Sequence, residues 1–358
     1  MIKEAINHLS APIYSFTAFV ILFVLAMRRM DIVGTKKFGM GLLIGVLAIF
    51  GWMLTDPVFF TVISTPDNIP IIILNALVFW STWYALYKGN QNDIRIAAGE
   101  QPIEGTPENR EKVWAWPNLV YTELFCIILC TIFLIAWAIF FKAPLEEPAN
   151  PTWAPNPAKA PWYFLGLQEM LVYFDPWMAG VVLPGIIIVG LIAIPFIDIN
   201  PKGNGYYTFK ERKWAISGFL FGWLALWVFL IQIGTFLRGP NWTFYGPFEY
   251  WDAHKVVAEN NVNLSEYFWI KGLGVALPKN IFLREIMGLI LTGVYLVAMP
   301  LYVTKRWGQD LLSRMGGPRY WLLVFLCLGM MSLPIKMYLR WFFTLKYIVA
   351  MPEFELNL

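Results

Sequence analysis

An all-α, polytopic membrane protein of about eight spans is the fold class this sequence predicts, and three observations predict it. The chain is 58% hydrophobic and 14% charged over 358 residues, too apolar for a water-soluble domain of that size. Its apolar residues fall into runs of roughly 20, the length a helix needs to cross a bilayer, centred near residues 20, 48, 78, 129, 187, 225, 293 and 331. Within the runs polar and apolar residues do not alternate, which excludes a closed transmembrane barrel.

Each run carries its own signals. The first has Lys3 before an apolar core from Ile13 to Met27, but no small-residue cleavage site follows and Arg28-Arg29 come instead, so it reads as a retained anchor. The second is Gly-rich (Gly39, Gly41, Gly45, Gly51), which would let neighbouring backbones approach. In the third, Asn75 predicts an interhelical hydrogen bond. A polar stretch from Gly89 to Lys112, with Asp93, Glu100, Glu104, Glu108 and Glu111, then predicts a solvent-exposed linker. Glu123, about two turns into the fourth run, is an ionisable residue inside a span. Two roles fit it: an inner-side proton path, or a carboxylate reaching the headgroups or another subunit. Cys126, Cys130 and Cys327 all lie in apolar runs and read as buried packing residues rather than disulfides or ligands. Arg284, Glu285, Lys336 and Arg340 lie near helix ends, where snorkelling accounts for them.

Threading eight helices places 16 of the 27 Lys and Arg on one face: Arg28, Arg29, Lys36 and Lys37; Lys88, Arg95, Arg110 and Lys112; Lys202, Lys210, Arg212 and Lys213; Lys305, Arg306, Arg314 and Arg319. By the positive-inside rule this face is cytoplasmic, so both termini and the 142–176 loop face the outer, proton-rich side. The domains expected are a three-helix unit (1–88), a cytoplasmic linker (89–112), a unit over 113–240, an outer aromatic-rich loop (241–282) and a two-helix unit with a tail (283–358). Aromatics crowd the outer loop (Trp242, Phe244, Tyr245, Phe248, Tyr250, Trp251, Tyr267, Trp269), which fits a partner-docking surface or an interfacial belt equally.

The chemistry concentrates in residues 160–177, an interface loop combining aromatics, prolines and the carboxylate of Glu169. A carboxylate held there beside a flat apolar pocket would take a proton from a lipid-soluble quinol. No haem ligands are available in the spans, since the two histidines, His8 and His254, lie outside them and no Cys-x-x-Cys-His occurs. If the chain handles electrons, partner subunits carry the metals.

Trp116-Pro117-Asn118 opening a helix, the Pro161-Trp162-Tyr163 loop, the Ala179 to Gly185 helix start with Ile194-Pro195, and a basic turn before the next helix form an ordered series over about 113–240. It resembles the C-terminal half of cytochrome b, the part that stands alone as subunit IV in photosynthetic membranes. The resemblance implies a membrane subunit of a Rieske/cytochrome b-type quinol:cytochrome c oxidoreductase in a bacterial energy-transducing membrane, contributing to outer-site quinol oxidation and proton release. It implies a haem-bearing cytochrome b partner, a Rieske iron-sulfur protein and c-type cytochromes, with haem b and the iron-sulfur cluster held by those partners. Lipid surrounds the chain, and no nucleic acid is expected. The family loop reads Pro-Glu-Trp-Tyr and its Glu accepts the proton; here Pro161 occupies that position. Glu169 is the substitute expected, because a helix over 162–172 would bring it to the face of Trp162, seven residues back. Tyr163 would hydrogen-bond the quinone, with Pro161, Trp162, Phe164 and Tyr173 as walls. Loss of the family's Glu leans towards a low-potential menaquinol. The remaining spans would dock further subunits such as multihaem cytochromes. The rival readings are a non-catalytic anchor of a redox complex and a solute or ion transporter; against the latter, no paired broken helices or internal repeat occur.

Overall fold

The computed structural model describes the chain except Arg110, Glu111, Ala143, Pro144, Glu146, Glu147, Lys202, Gly203, Asn204, Glu259 and Glu355; of the residues singled out above, Arg110, Glu111 and Lys202 thus lie outside the described residues. Helices are nearly all of the regular structure, apart from a small antiparallel pair, Ala350–Met351 with Leu356–Asn357. Eight helices match the eight apolar runs: span 1 (Pro12–Arg28), span 2 (Lys36–Met53), span 3 (Asn68–Ala97), span 4 (Ala115–Phe140), span 5 (Met178–Ile197), span 6 (Lys213–Leu237), span 7 (Ile286–Met315) and span 8 (Gly317–Phe343). The protein is therefore an all-α polytopic membrane protein, as the hydropathy pattern requires. Span 1 bends by 78° from a short preceding helix, Ile2–Leu9. That helix carries Lys3, Glu4, Asn7 and His8 and lies across the span axis, the posture of an amphipathic segment at a membrane surface.

Local chemistry sets the starts. Thr35 caps span 2 by accepting from Phe38 N at 3.2 Å. Asp56 caps the short helix Pro57–Ile63 through Val58 N and Phe59 N, and also accepts from Lys3 at 2.6 Å. The lysine hydrogen bond, then the two backbone donors, hold the Asp56 carboxyl below its ordinary range. This stabilisation is present above the unfolded carboxylate range and is lost as pH falls through the lowered value.

The loops gather at two ends of the bundle. At one end Lys3 meets Asp56, Asn7 accepts from Phe248 N, Arg284 pairs with Glu353, and Asn357 reaches Asp175. Both chain termini belong to this terminal end. At the other, basic end, Asn90 donates to Gly34 O, and Asp93 binds the turn at Thr208 to Lys210. Two apolar clusters mark the same division. Phe16, Met170, Tyr173, Phe174, Leu230 and Met337 belong to the larger one, near the terminal end, and Met27, Met30, Val33, Leu86 and Phe209 form the smaller one at the basic end.

Asn75 and Gln232 exchange amide hydrogen bonds in both directions at 3.0 Å, joining spans 3 and 6, which is the interhelical bond expected of Asn75. An Asn75→Leu variant leaves Gln232 without its partner and is expected to lose about 1–2 kcal/mol; a detergent melting curve unchanged from the parent would contradict this.

Several details differ from the sequence reading. Of the Gly-rich positions in span 2, Gly39 makes a close approach, since a Cβ there would run into the Trp83 indole, whereas Gly41, Gly45 and Gly51 face open space. The linker expected from Gly89 begins later: span 3 continues as helix to Ala97, and Gly89, Asn90, Asn92 and Asp93 are buried. Hydropathy tracks the membrane, and a helix that leaves it is invisible to that signal when its polar groups find protein partners. Asn92, for example, donates to Tyr207 O and Glu104 and accepts from Ile103 N. The three cysteines are free, but they are exposed rather than buried. An apolar run fixes immersion in lipid, not which face of the helix meets another helix. Span 4 is the extreme case, with no buried residue along its length.

Candidate functional site

Pro161 ends an extended approach and precedes a 3₁₀ turn, Trp162–Phe164, which runs into a short α-helix, Leu165–Met170. The approach is strapped to that helix by one side chain: Gln168 accepts from Ala160 N and donates to Ala158 O, both at 2.8 Å. Small residues then let the helix sit on span 6. Gly234 leaves room for Leu165, and Gly166 for Ile231 and the Trp227 carbonyl.

Trp162, Tyr163 and Phe164 remain exposed at the terminal end. Tyr163 is edge-on to both Trp162 and Phe164 at 5.6 Å and packs on Trp227 of span 6 at the same centroid distance. The Trp227 indole N–H is buried and, among the described residues, has no hydrogen-bond acceptor. An unmatched donor beside an exposed phenol is suited to a carbonyl or hydroxyl oxygen of a flat ligand.

Glu169 is oriented otherwise than a helix over 162–172 predicts. Trp162 is 39% exposed and Glu169 0%. The 3₁₀ turn advances at three residues per turn rather than 3.6, which breaks the count from one to the other. Glu169 faces inward, where Arg238 grips it with both arms of its fork: Nε to Oε2 at 2.9 Å and Nη2 to Oε1 at 2.7 Å. Arg238 also donates to Trp242 O at 2.9 Å. A proton-accepting role for Glu169 would therefore require this fork to open. Tyr173, expected as a pocket wall, is only 1% exposed and lies within the core. Burial, and then the Glu169 charge, push its phenol far above the ordinary tyrosine range, so it stays protonated and faces Glu169 at 3.5 Å. Glu123 lies in the first turn of the α-helical stretch of span 4 and is exposed, away from this loop.

Three participants were not singled out from sequence. Arg238 directly follows span 6, a helix-end cation of the kind usually assigned to snorkelling. Trp227 looks like any apolar helix residue, and Lys159 carries no motif. Lys159 Nζ donates to Thr235 O at 2.8 Å and lies 4.7 Å from the Trp251 ring centre.

Residues 148–248 match the family model described as cytochrome b (C-terminal)/b6/petD. The match begins beyond span 4, later than the resemblance drawn from sequence, and takes in the loop, spans 5 and 6, and the Arg238 segment. No solved structure matches the chain. The family match supports a membrane subunit of a cytochrome b-type quinol oxidoreductase complex, one part of a multi-subunit redox enzyme. Haem belongs to such complexes, but the residues of this chain do not fit haem ligation. His8 lies in the surface helix Ile2–Leu9 and His254 is exposed in the loop after span 6, so no histidine pair faces across the bundle. Among the described residues no three His, Cys, Asp or Glu converge on one point.

Proposed function

We propose that this chain supplies one wall of the outer quinol-oxidation site of a Rieske/cytochrome b-type complex, with the terminal end of the bundle on the proton-rich side. The observation that carries the reading is the exposed Trp162-Tyr163-Phe164 turn packed on Trp227 with its unmatched N–H, within the segment that matches the family. The distribution of Lys and Arg supports the orientation. In this reading Trp162 and Phe164 flank the quinol ring, Pro161 sets the turn, and Tyr163 hydrogen-bonds an oxygen of the ligand. The buried Glu169–Arg238 pair fixes the turn against span 6. Electrons pass to the iron-sulfur protein and to haem in partner subunits, and protons leave on the terminal side. The quinol is proposed to be a low-potential menaquinol. Span 4, which buries none of its own residues, is the surface proposed to meet the cytochrome b partner, with Glu123 opposite a hydrogen-bond donor or cation of that subunit. Spans 1–3 and 7–8, with the aromatic loop after span 6, are proposed to dock c-type cytochromes.

The test is purification with native partners in mild detergent, followed by a redox-difference spectrum and quinol:cytochrome c assays. Tyr163→Phe is expected to raise the quinol KM and lower kcat/KM by about tenfold, the loss of one hydrogen bond of about 1.4 kcal/mol, with melting unchanged. An unaltered kcat/KM would remove Tyr163 from the site. Pro161 and the fully engaged Glu169 favour a second reading, a non-catalytic anchor that keeps the loop without proton chemistry. A complex in which neither the tyrosine nor any other loop variant affects turnover would establish that reading instead.

A further inference from the structure

Pro161 leaves the loop without a proton-exchanging group where the resemblance expects one, and both oxygens of Glu169 are held by Arg238. Two residues before Pro161 stands Lys159, half-buried. Its ammonium donates to Thr235 O at the end of span 6 and lies over the Trp251 ring. Among the described residues no carboxylate lies within ion-pair distance of it. The Thr235 hydroxyl, on a residue 3% exposed, has no hydrogen-bond partner among the described residues. The unmatched buried hydroxyl belongs to the residue whose carbonyl the amine binds, and it leaves a hydrogen-bonding position unfilled, where a water or a ligand oxygen would complete the set. Gln168 fixes the backbone on either side of Lys159, at Ala158 and Ala160.

The geometry points to Lys159 as the proton carrier of the quinol loop, exchanging protons between the site and the aqueous phase at the end of span 6, where its amine meets Thr235. The inference rests on the outer-site reading above. In chemical terms, oxidation of the quinol releases two electrons to the one-electron acceptors of the partner subunits and two protons. One proton is taken by the neutral Lys159 amine, directly or through a water at Thr235, giving the ammonium that later releases it to solvent; the other is released to water at the terminal end of the bundle. The Trp251 loop carries Asp252 and the Lys255–Glu249 ion pair, with Lys255 over the Tyr245 ring that packs against Trp251. Asp67, before span 3, favours the ammonium; Arg238, three residues beyond Thr235, is engaged with Glu169; Trp251 contributes only its ring face. Burial outweighs Asp67 and lowers the lysine to about 8, so the neutral base becomes populated as pH rises through that value instead of through the ordinary lysine range. A carrier that titrates near working pH is the kind that proton exchange requires.

The experiment uses the intact complex with its native partners and a soluble menaquinol analogue, with cytochrome c reduction followed from pH 6 to 10. The parent is expected to show a rising limb with its midpoint near 8. Lys159→Met is expected to lose that limb and to fall by about 10²-fold. Lys159→Arg, which keeps the cation over Trp251 but does not deprotonate, is expected to fall as far, although its melting stays near that of the parent. Competitive acetylation of the parent across the same pH range supplies a readout independent of turnover, with a Lys159 midpoint near 8. A Lys159→Arg complex with parental rate and pH profile would overturn the carrier role, as would an acetylation midpoint in the ordinary lysine range. A parent complex that binds its partners but does not oxidise quinol would overturn the outer-site reading itself, and the inference with it.

Discussion

Replacing Arg238 with Leu is expected to cost about 3–5 kcal/mol of stability, the loss seen when one member of a buried ion pair is removed and the other stays behind. Arg238 and Glu169 are 9% and 0% exposed, so neither charge has water to fall back on. The arginine joins the short helix Leu165–Met170 to the chain just beyond span 6, 69 residues away, and also holds Trp242 O. Losing it frees the helix from span 6 and is expected to displace Tyr163 from Trp227, so the quinol KM should rise in whatever fraction remains folded. Glu169→Gln should be milder, because the amide still accepts one hydrogen bond. The double variant Arg238→Met with Glu169→Met should recover much of the loss, since it buries no unpaired charge. Thermal melting in mild detergent measures all three. Were Arg238→Leu to melt with the parent while Glu169→Gln abolished turnover, the fork would be an openable contact and Glu169 the proton acceptor.

The boundary between what the sequence discloses and what it hides follows the range of the interactions. Hydrophobic runs are local sums, and all eight reappear as helices that contain the expected centres, with spans 2, 3 and 7 displaced by several residues. Asn75 was legible because an amide in lipid has no alternative to a protein partner, though Gln232 as that partner was not. The loop at Pro161 was legible through its aromatics and its position between runs, and the family match covers it. The direction of Glu169 was not, because it depends on a 3₁₀ turn at Trp162–Phe164 and on an arginine that sequence separates from it. Lys159 and Trp227 were missed for a related reason: among the described residues the one has no carboxylate at ion-pair distance and the other no acceptor for its indole N–H, and such an environment appears only in three dimensions. The exposed cysteines teach the same lesson in reverse. In a bilayer an apolar residue needs no burial, so hydrophobicity alone does not separate the faces of a span.

The basic end offers the second large effect. Asp93, near the end of span 3, is 5% exposed and accepts from the Thr208 hydroxyl at 2.6 Å, Phe209 N at 3.1 Å and Lys210 N at 2.9 Å. One carboxylate thus gathers the turn that leads into span 6. Gly89, a helical turn earlier, brings the span 3 backbone close to the same turn, where a Cβ would meet Phe209 N at 3.3 Å. Asp93→Ala strands one buried backbone donor, one part-buried backbone donor and a hydroxyl, and is expected to lose about 3–5 kcal/mol. Asp93→Asn, which keeps one acceptor oxygen but turns a donor towards donors, should lose about 2–3 kcal/mol. Limited proteolysis of the 198–212 segment would report the freed turn directly. Because the loop proposed to bind quinol lies at the opposite end of the bundle, quinol KM measured well below the melting transition should stay at the parental value. That separates the two ends experimentally: the Arg238 variant alters both melting and KM, the Asp93 variant melting alone. If the Asp93 variant raised the quinol KM as well, span 6 would be transmitting the loss of its basic-end anchor to Trp227, and the two ends would act as one coupled element.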